Sequence, residues 1–269
     1  MPSAGGLRYR ACGTGPPALF VHGLPTSGRL WDFVVERLEP SFTCVVVDLP
    51  GFGAAPWPAR FRGVPLDPDR LAAALDEIRA ALELPVWSVV GHDAGAVIAV
   101  HYAAAFPRRL RRLALLSPPI FPDLVPPLLF RLLRLPVAGD LLAPLAALAL
   151  RKGGLQSMLG RHDAAARAVL ADFTHPFRGF AGSRRLLRAV RWGEPAEVLA
   201  RTAALLPGIA APTLVLHGRR DGIIPASFAT RAAAALPAGR AVLFDSGHFL
   251  PLDAPLEVCG ALAPFLQTL

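Results

Sequence analysis

Short apolar runs alternate with longer segments of helical periodicity along most of the chain. One longer segment, residues 69–82, repeats its large apolar side chains at the spacing of a single helical face, which predicts a helix. Nearly continuous apolar runs are typical of strands buried on both faces of a parallel sheet. Strands that alternate with helices predict an α/β fold with a mostly parallel central sheet flanked by helices. The predicted strands are residues 7–11, 18–21, 42–47, 86–90, 110–116, 213–216 and 241–244.

The alternation stops between residues 118 and 207. This segment is rich in Leu, Pro and Arg, has helical spacing and contains no clear strand. Because the strand pattern resumes after it, we expect residues 118–207 to form a helical cap inserted between two strands of the core. The core domain then comprises residues 1–117 and 208–269, with a single strand ahead of the strand at 18–21.

The composition indicates a folded domain with a large core and no nucleic-acid partner. Hydrophobic residues make up 53% of the chain and charged residues 18%. The net charge is +8, but the arginines are spread along the whole chain and Lys152 is its one lysine. Nucleic-acid binding requires basic residues gathered on one surface, so we do not expect it here.

The sequence predicts no membrane span, secretory signal or metal site. The apolar zone at 124–150 is interrupted by Arg131, Arg134 and Asp140, and no stretch reaches the roughly 18 to 20 apolar residues of a span. The start of the chain lacks a basic region followed by an apolar one. We therefore expect a cytoplasmic protein without cofactor, metal or stable membrane association, as a monomer or homodimer. The cysteines form no metal or disulfide pattern, and they are Cys12, Cys44 and Cys259.

The segment Gly91-His92-Asp93-Ala94-Gly95 carries the most information about chemistry. It joins a predicted strand to a helical run of small residues, and strand, Gly-x-nucleophile-x-Gly, helix is the context of a nucleophile elbow. Most such elbows carry Ser at the centre. A carboxylate needs no base to ionise it, because its reference pKa is about 3.9, and it can form an ester with a substrate carbon. Asp93 therefore indicates displacement at an sp³ carbon, such as epoxide opening or halide loss.

Two further residues complete a predicted catalytic set with Asp93. Asp221 follows the strand at 213–216, and His248 follows the strand at 241–244. Catalytic groups in open α/β sheets collect outside the carboxyl ends of the strands, so we expect these side chains to meet Asp93. Asp245 is the alternative acid, but its position suits a strand-end or turn residue, and we favour Asp221.

The segment His22-Gly23-Leu24-Pro25 predicts an oxyanion hole. It follows the strand at 18–21 and can direct a backbone N–H, that of Leu24, at the reacting oxygen. The backbone N–H of Ala94, directly after the elbow residue, is the second predicted donor.

These motifs together resemble the Asp-nucleophile branch of the α/β-hydrolases, the group of soluble epoxide hydrolases, haloalkane dehalogenases and fluoroacetate dehalogenases. The order Asp93, Asp221, His248 is that of the α/β-hydrolase triad. The resemblance covers most of residues 7–266 except the cap, and implies an α/β-hydrolase fold. It also rests on two loops, His22-Gly23-Leu24-Pro25-Thr26-Ser27 followed by Trp31, and Asp48-Leu49-Pro50-Gly51-Phe52-Gly53.

The resemblance implies a hydrolase with a covalent alkyl-enzyme ester. Asp93 attacks the substrate carbon, His248 activates a water that hydrolyses the ester, and Asp221 orients His248 and stabilises its protonated form. The expected partners are water and a small apolar epoxide or halogenated substrate. Three alternatives stay open: a lactone, ester or strained-ring hydrolase; a lyase or isomerase with Asp93 as acid–base group; and a catalytically silent binding protein.

The chain departs from each member of this branch in how a leaving group would be held. Epoxide hydrolases use two cap tyrosines, but the two tyrosines here, Tyr9 and Tyr102, lie outside the cap. The dehalogenases place Trp or Arg directly after the nucleophile, where this chain has Ala94. Leu24 and Ala94 then predict an apolar pocket floor. The candidate substrate-binding side chains are Trp31, His175 and Trp192, and the candidate cap donors are His162, His175, Trp192 and Gln156.

Overall fold

The computed structural model describes residues 2–53, 61, 67–160, 164–192 and 195–267, without the side chain of Trp192. The strands are β1 (Ser3–Ala4), β2 (Leu7–Cys12), β3 (Pro17–Val21), β4 (Thr43–Asp48), β5 (Trp87–His92), β6 (Leu110–Leu116), β7 (Thr213–Gly218) and β8 (Gly239–Phe244). The helices are α1 (Asp32–Leu38), α2 (Pro68–Ala81), α3 (Ala94–Ala105), α4 (Leu128–Arg134), α5 (Ala138–Ala149), α6 (Ala164–Thr174), α7 (Gly179–Trp192), α8 (Ala196–Leu205), α9 (Ser227–Ala235), α10 (Leu250–Asp253) and α11 (Pro255–Gln267).

The strands form one mostly parallel sheet, as the sequence predicts. Among the described residues it has eight strands in the order β1-β2-β4-β3-β5-β6-β7-β8. β2 pairs antiparallel with β1 and β4, and the remaining neighbours are parallel. The expectation of a single strand before β3 is wrong, because Ser3–Ala4 pairs with β2 at the sheet edge. A two-residue strand is too short to leave an apolar pattern in the sequence.

The central strands separate two layers of apolar side chains. Val89 of β5 belongs to the cluster that holds α2, α3 and α9, whereas its neighbour Val90 belongs to the cluster on the other face. This alternation follows from the period-two geometry of a strand. Because both faces are covered, the strands read as continuous apolar runs rather than as alternating ones.

The helix predicted at 69–82 is α2, and the sequence fixes its start. The Asp67 side chain accepts the backbone N–H of Arg70, and Pro68 occupies the first helical position. The N–H groups in the first turn of a helix have no partner within the helix. The Asp67 side chain accepts one of them, and Pro68 has no N–H that would need an acceptor.

The long segment between β6 and β7 contains α4 to α8 and, in its described residues, no strand. Its inner side continues the core: Ala146 of α5 and Leu186 of α7 lie in the same apolar cluster as Phe20 and Trp31. The helices of this segment are therefore packed on the sheet domain through buried side chains.

The elbow brings α3 so close to the sheet that Gly95 has no room for a side chain. A Cβ at Gly95 would lie 2.3 Å from the carbonyl oxygen of Val21. We therefore expect Gly95→Ala to lower the free energy of unfolding by about 1–3 kcal/mol, as overpacking does. The measurement is urea unfolding followed by circular dichroism.

Gly260→Ala in α11 is the matched control, because a Cβ there meets no atom within 4 Å. It removes a helical glycine and is expected to raise stability by up to about 1 kcal/mol. Equal effects of the two substitutions would show that the approach of α3 to β3 does not limit stability.

Candidate active site

Asp93 occupies a strained turn between β5 and α3. Its backbone has φ 52° and ψ −123°, a conformation that costs energy for a residue with a side chain. Gly91 permits the turn, since a Cβ there would lie 2.4 Å from the Gly95 carbonyl oxygen. A Cβ at Gly23 would likewise lie 2.4 Å from the Asp93 Cβ. The glycines thus allow the loop after β3 to touch the Asp93 side chain.

The two carboxylate oxygens of Asp93 have different surroundings. Oδ2 accepts the backbone N–H of Leu24 at 2.9 Å, and the backbone N–H of Ala94 also donates to the carboxylate. Oδ1 lies 3.9 Å from Nε2 of His248. The two predicted oxyanion-hole donors therefore bind the carboxylate itself, while Oδ1 faces the imidazole.

His248 is oriented by Asp221, as the chain order suggests. Its Nδ1 lies 2.9 Å from Oδ2 of Asp221. Oδ1 of Asp221 accepts the backbone N–H groups of Ile223 and Ile224 at 2.8 and 3.0 Å. The alternative acid Asp245 instead forms an exposed ion pair with Arg220. The structure thus brings Asp93, Asp221 and His248 together and leaves Asp245 outside.

Burial and charge act in opposite directions on the two site carboxylates. Burial raises the pKa of Asp93 above its ordinary value, although His248 and the N–H groups of Ala94 and Leu24 act to lower it. For Asp221, burial also acts to raise the pKa, but the charge and hydrogen bond of His248 outweigh it and hold the pKa of Asp221 below its ordinary value. Asp221 is therefore the stable counterion, and Asp93 is the more basic carboxylate.

His92 and His22 form hydrogen bonds with the backbone of loops around the site. Nε2 of His92 lies 2.9 Å from the backbone carbonyl oxygen of His248. Burial, with the charge of His248, lowers the pKa of His92 to about 3, so its ring is neutral and donates this hydrogen bond. Nε2 of His22 accepts the N–H of Leu49 at 2.9 Å, while Nδ1 lies 2.8 Å from the Gly23 carbonyl oxygen. Both histidines hold loops rather than substrate.

The segment before α6 holds the loop that carries His248. The backbone N–H of His248 donates to the Met158 carbonyl oxygen at 2.9 Å. Oδ2 of buried Asp253 accepts the N–H groups of Gly160 and Gly247 at 2.9 and 2.7 Å. Sequence reasoning missed Asp253. Its signal in the sequence is an acidic residue directly after the apolar residues 249–252.

A largely apolar cavity of about 190 Å³ opens above Asp93. An engineered apolar cavity of about 150 Å³ binds benzene, so this one can take a small organic molecule. Its ionisable lining side chains are Asp93, His248 and Arg134 among the described residues. The apolar lining includes Leu24, Pro119, Leu124, Pro127, Phe130, Val190, Leu199, Ile224 and Phe249.

Arg134 is the cavity residue that sequence reasoning missed. Its Nε donates to the Val190 carbonyl oxygen at 3.2 Å, and within the described part of the chain its guanidinium forms no ion pair. Phe130 and Arg134 are four residues apart in α4, so they share a helical face. An Arg at this spacing from an apolar residue could have signalled the cavity, but the sequence does not reveal which face of α4 turns inward.

The predicted pocket residues lie elsewhere or outside the described set. Trp31 is wrong as a substrate contact: it is fully buried, and its ring packs 5.3 Å from that of Phe20. His175 is exposed and lines a separate depression beside Asp172. Trp192 ends α7, but its side chain lies outside the description, as does all of His162. Gln156 is exposed on a short helical turn.

The structure offers no metal centre among its described residues, since no group of three or more His, Cys, Asp or Glu side chains converges there. No helix in the described ranges is long and apolar enough to cross a membrane.

The chain belongs to the alpha/beta hydrolase fold family, whose model matches residues 16–255. A pimeloyl-[acyl-carrier protein] methyl ester esterase of Stenotrophomonas maltophilia is 31% identical over 98% of this chain and 97% of that protein. An uncharacterised Mycobacterium bovis protein is 27% identical over 97% of this chain and 78% of its own length. The structure also resembles that of a putative ancestral haloalkane dehalogenase, with 27% identity, a TM-score of 0.80, and coverage of 97% and 94%. The protein is thus an α/β-hydrolase with dehalogenase-like and esterase relatives.

Asp253 offers a test of how the His248 loop is held. Asp253→Ala leaves the backbone N–H groups of half-buried Gly160 and buried Gly247 without their acceptor, so the free energy of unfolding should fall by about 2 kcal/mol. Asp253→Asn keeps an acceptor and should lose less. Urea unfolding measures both. Equal losses for Ala and Asn would mean that packing, and not these hydrogen bonds, is what Asp253 contributes.

Proposed function

We propose that the protein is a hydrolase in which Asp93 displaces a leaving group from an sp³ carbon and forms an alkyl-enzyme ester, which water activated by His248 then cleaves. One observation supports this above all: Oδ2 of Asp93 rests on the N–H of Leu24 while Oδ1 faces Nε2 of His248. A carboxylate held in this way has one oxygen available for each half of the reaction.

In the first step, Oδ1 is the attacking atom. Its lone pair forms a C–O bond as the bond from carbon to the leaving group breaks, and the leaving group departs with that electron pair. Oδ1 suits this role because the backbone N–H groups occupy Oδ2 instead. Burial, which raises the pKa of Asp93, removes water that would otherwise solvate the nucleophile.

In the second step, Nε2 of His248 takes a proton from water, and the hydroxide adds to Cγ of Asp93. The negative charge then develops on Oδ2, where the N–H groups of Leu24 and Ala94 stabilise it. The tetrahedral intermediate expels the product alkoxide, which takes the proton back from His248, and the Asp93 carboxylic acid that remains releases its own proton to water. Asp221 stabilises the imidazolium between these transfers.

Arg134 favours a halide over an epoxide as the group displaced. Epoxide opening produces an alkoxide that needs a proton, and a guanidinium does not release one because its pKa exceeds about 12. A departing halide needs only positive charge, which Arg134 supplies at the cavity wall. Arg134 belongs to the segment 118–207, whose cavity-lining residues act as a cap over Asp93.

Ester hydrolysis is the second candidate, favoured by the 31% identical relative named as a methyl ester esterase. A carboxylate is poorly suited to it. Attack on an ester carbonyl gives a tetrahedral intermediate that must expel either an alkoxide or the original carboxylate, and the carboxylate is by far the better leaving group. Asp93 therefore fits displacement at saturated carbon better than acyl transfer.

His248→Gln tests the covalent step. Without its base the enzyme should stop at the ester, so a panel of bromoalkanes, chloroalkanes and terminal epoxides should yield a mass adduct on the peptide that contains Asp93. Turnover should fall by about 10²–10⁴-fold.

In wild-type enzyme, a single turnover in water enriched with oxygen-18 should place the label in Asp93 and not in the alcohol product.

His175→Gln is the matched control, because His175 is exposed outside the cavity, and it should turn over normally without an adduct. Two results together would reject the ester intermediate. They are oxygen-18 found in the alcohol product and not in Asp93, and no adduct on His248→Gln from any compound that wild type consumes. Water would then attack the substrate directly.

Arg134→Gln tests how the leaving group is held. Loss of a charge that is needed only as the carbon–halogen bond breaks should slow ester formation about 10²-fold, as loss of an oxyanion donor does. Arg134→Lys keeps the charge and should lose less. Rapid-quench measurement of halide release reports the step directly.

Arg131→Gln removes an exposed charge three residues away on α4 and should leave halide release unchanged. If Arg134→Gln and Arg131→Gln behave alike, or if Arg134→Gln raises KM alone, the guanidinium does not act on the leaving group.

A further inference from the structure

Exposed large apolar side chains are concentrated on one short part of the molecule. Ten are exposed among the described residues, and eight of them fall between Val125 and Leu148. Soluble proteins rarely expose large contiguous apolar areas without a partner. Six of these side chains define what we call the apolar patch: Leu128, Leu135, Val137, Leu141, Leu145 and Leu148.

The patch follows the geometry of two neighbouring helices. Leu141, Leu145 and Leu148 repeat at the spacing of one face of α5, and Leu141 and Leu145 are 76% and 66% exposed. Ala143 and Ala146 on the opposite face are buried in the core. Both faces of α5 are therefore apolar, and only one of them is covered by other residues that the structure describes.

The charges around the patch are positive. Arg131 lies on α4, and Arg151 and Lys152 lie in the turn that follows α5; all three are exposed, and none forms an ion pair within the described residues. The single acid in the sequence from 124 to 160 is Asp140, which pairs with Arg191 at 2.8 Å. Apolar side chains flanked by cations are the arrangement that binds anionic lipid surfaces.

A second copy of the chain fits this surface less well. A twofold interface would place the same surface on both sides, and Arg131, Arg151 and Lys152 would then approach like charges. An anionic bilayer provides both an apolar interior for the leucines and negative head groups for the cations.

We propose that the apolar patch on α4 and α5 docks reversibly on the surface of an anionic lipid bilayer. The contact is peripheral, and it departs from the sequence-based expectation of no stable membrane association. The cavity adjoins the patch, because Pro127 and Phe130 line it beside exposed Leu128. An apolar molecule dissolved in the bilayer can therefore reach the cavity with little exposure to water.

The test is co-sedimentation of the full chain with vesicles, which requires no substrate. Wild type should sediment with equimolar phosphatidylcholine and phosphatidylglycerol but not with phosphatidylcholine alone. The double variant Leu141→Glu/Leu145→Glu should lower the partition coefficient at least about tenfold. Arg151→Gln/Lys152→Gln should also weaken binding, by about fivefold for each charge removed.

Leu256→Glu is the control, since Leu256 is also exposed but lies on α11 away from the patch. It should bind vesicles nearly as wild type does. Circular dichroism and urea unfolding check that each variant is folded.

Three outcomes would overturn the proposal. Wild type that fails to sediment with anionic vesicles would do so directly. Equal losses for Leu256→Glu and the patch variant, when expressed per added carboxylate, would mean that net charge alone drives binding. A wild-type dimer that becomes monomeric in Leu141→Glu/Leu145→Glu, without any vesicle binding, would assign the patch to a second copy of the chain.

Discussion

The site depends on keeping a carboxylate buried beneath an apolar cavity. Burial disfavours the charged form of Asp93, and backbone N–H groups and one imidazole offset that cost among the described residues. The fold meets this requirement through the backbone. The strained turn at Asp93 points its side chain at the N–H of Leu24, and Gly23 and Gly95 let the loop after β3 and the start of α3 come close enough. A side chain at either glycine would separate the donor from its acceptor.

The same constraint explains why the histidine loop is tied to the helical segment. His248 must face Oδ1 of Asp93 without being drawn into a tight ion pair, and it lies 3.9 Å away. Asp221 fixes the ring from one side, while the Met158 carbonyl and Asp253 fix the backbone from the other. The cavity wall and the His248 loop are therefore parts of one hydrogen-bonded unit, so a movement of residues 158–160 also shifts the imidazole.

Much of the sheet could be predicted from the sequence, because central strands buried on both faces leave continuous apolar runs. The two-residue strand β1 leaves no such pattern and was missed. In the site, glycine spacing and strand ends pointed to Asp93, Asp221 and His248, since local sequence controls those positions. Arg134 and Trp31 could not be assigned in this way. Which side of α4 faces the cavity, and which side of the turn at Trp31 faces the core, are decided by packing between elements distant in the chain.

Helix α4 contacts the cavity, the core and the solvent with different side chains. Within seven residues, Phe130 and Arg134 face the cavity, Leu133 lies in the core, and Leu128 and Arg131 face outward. A helix turns about 100° per residue, so three directions are available within two turns. A force that displaces the outward face must also move the inner one, because the backbone between them is rigid. Any contact made at Leu128 is therefore mechanically linked to the position of Arg134 in the cavity wall.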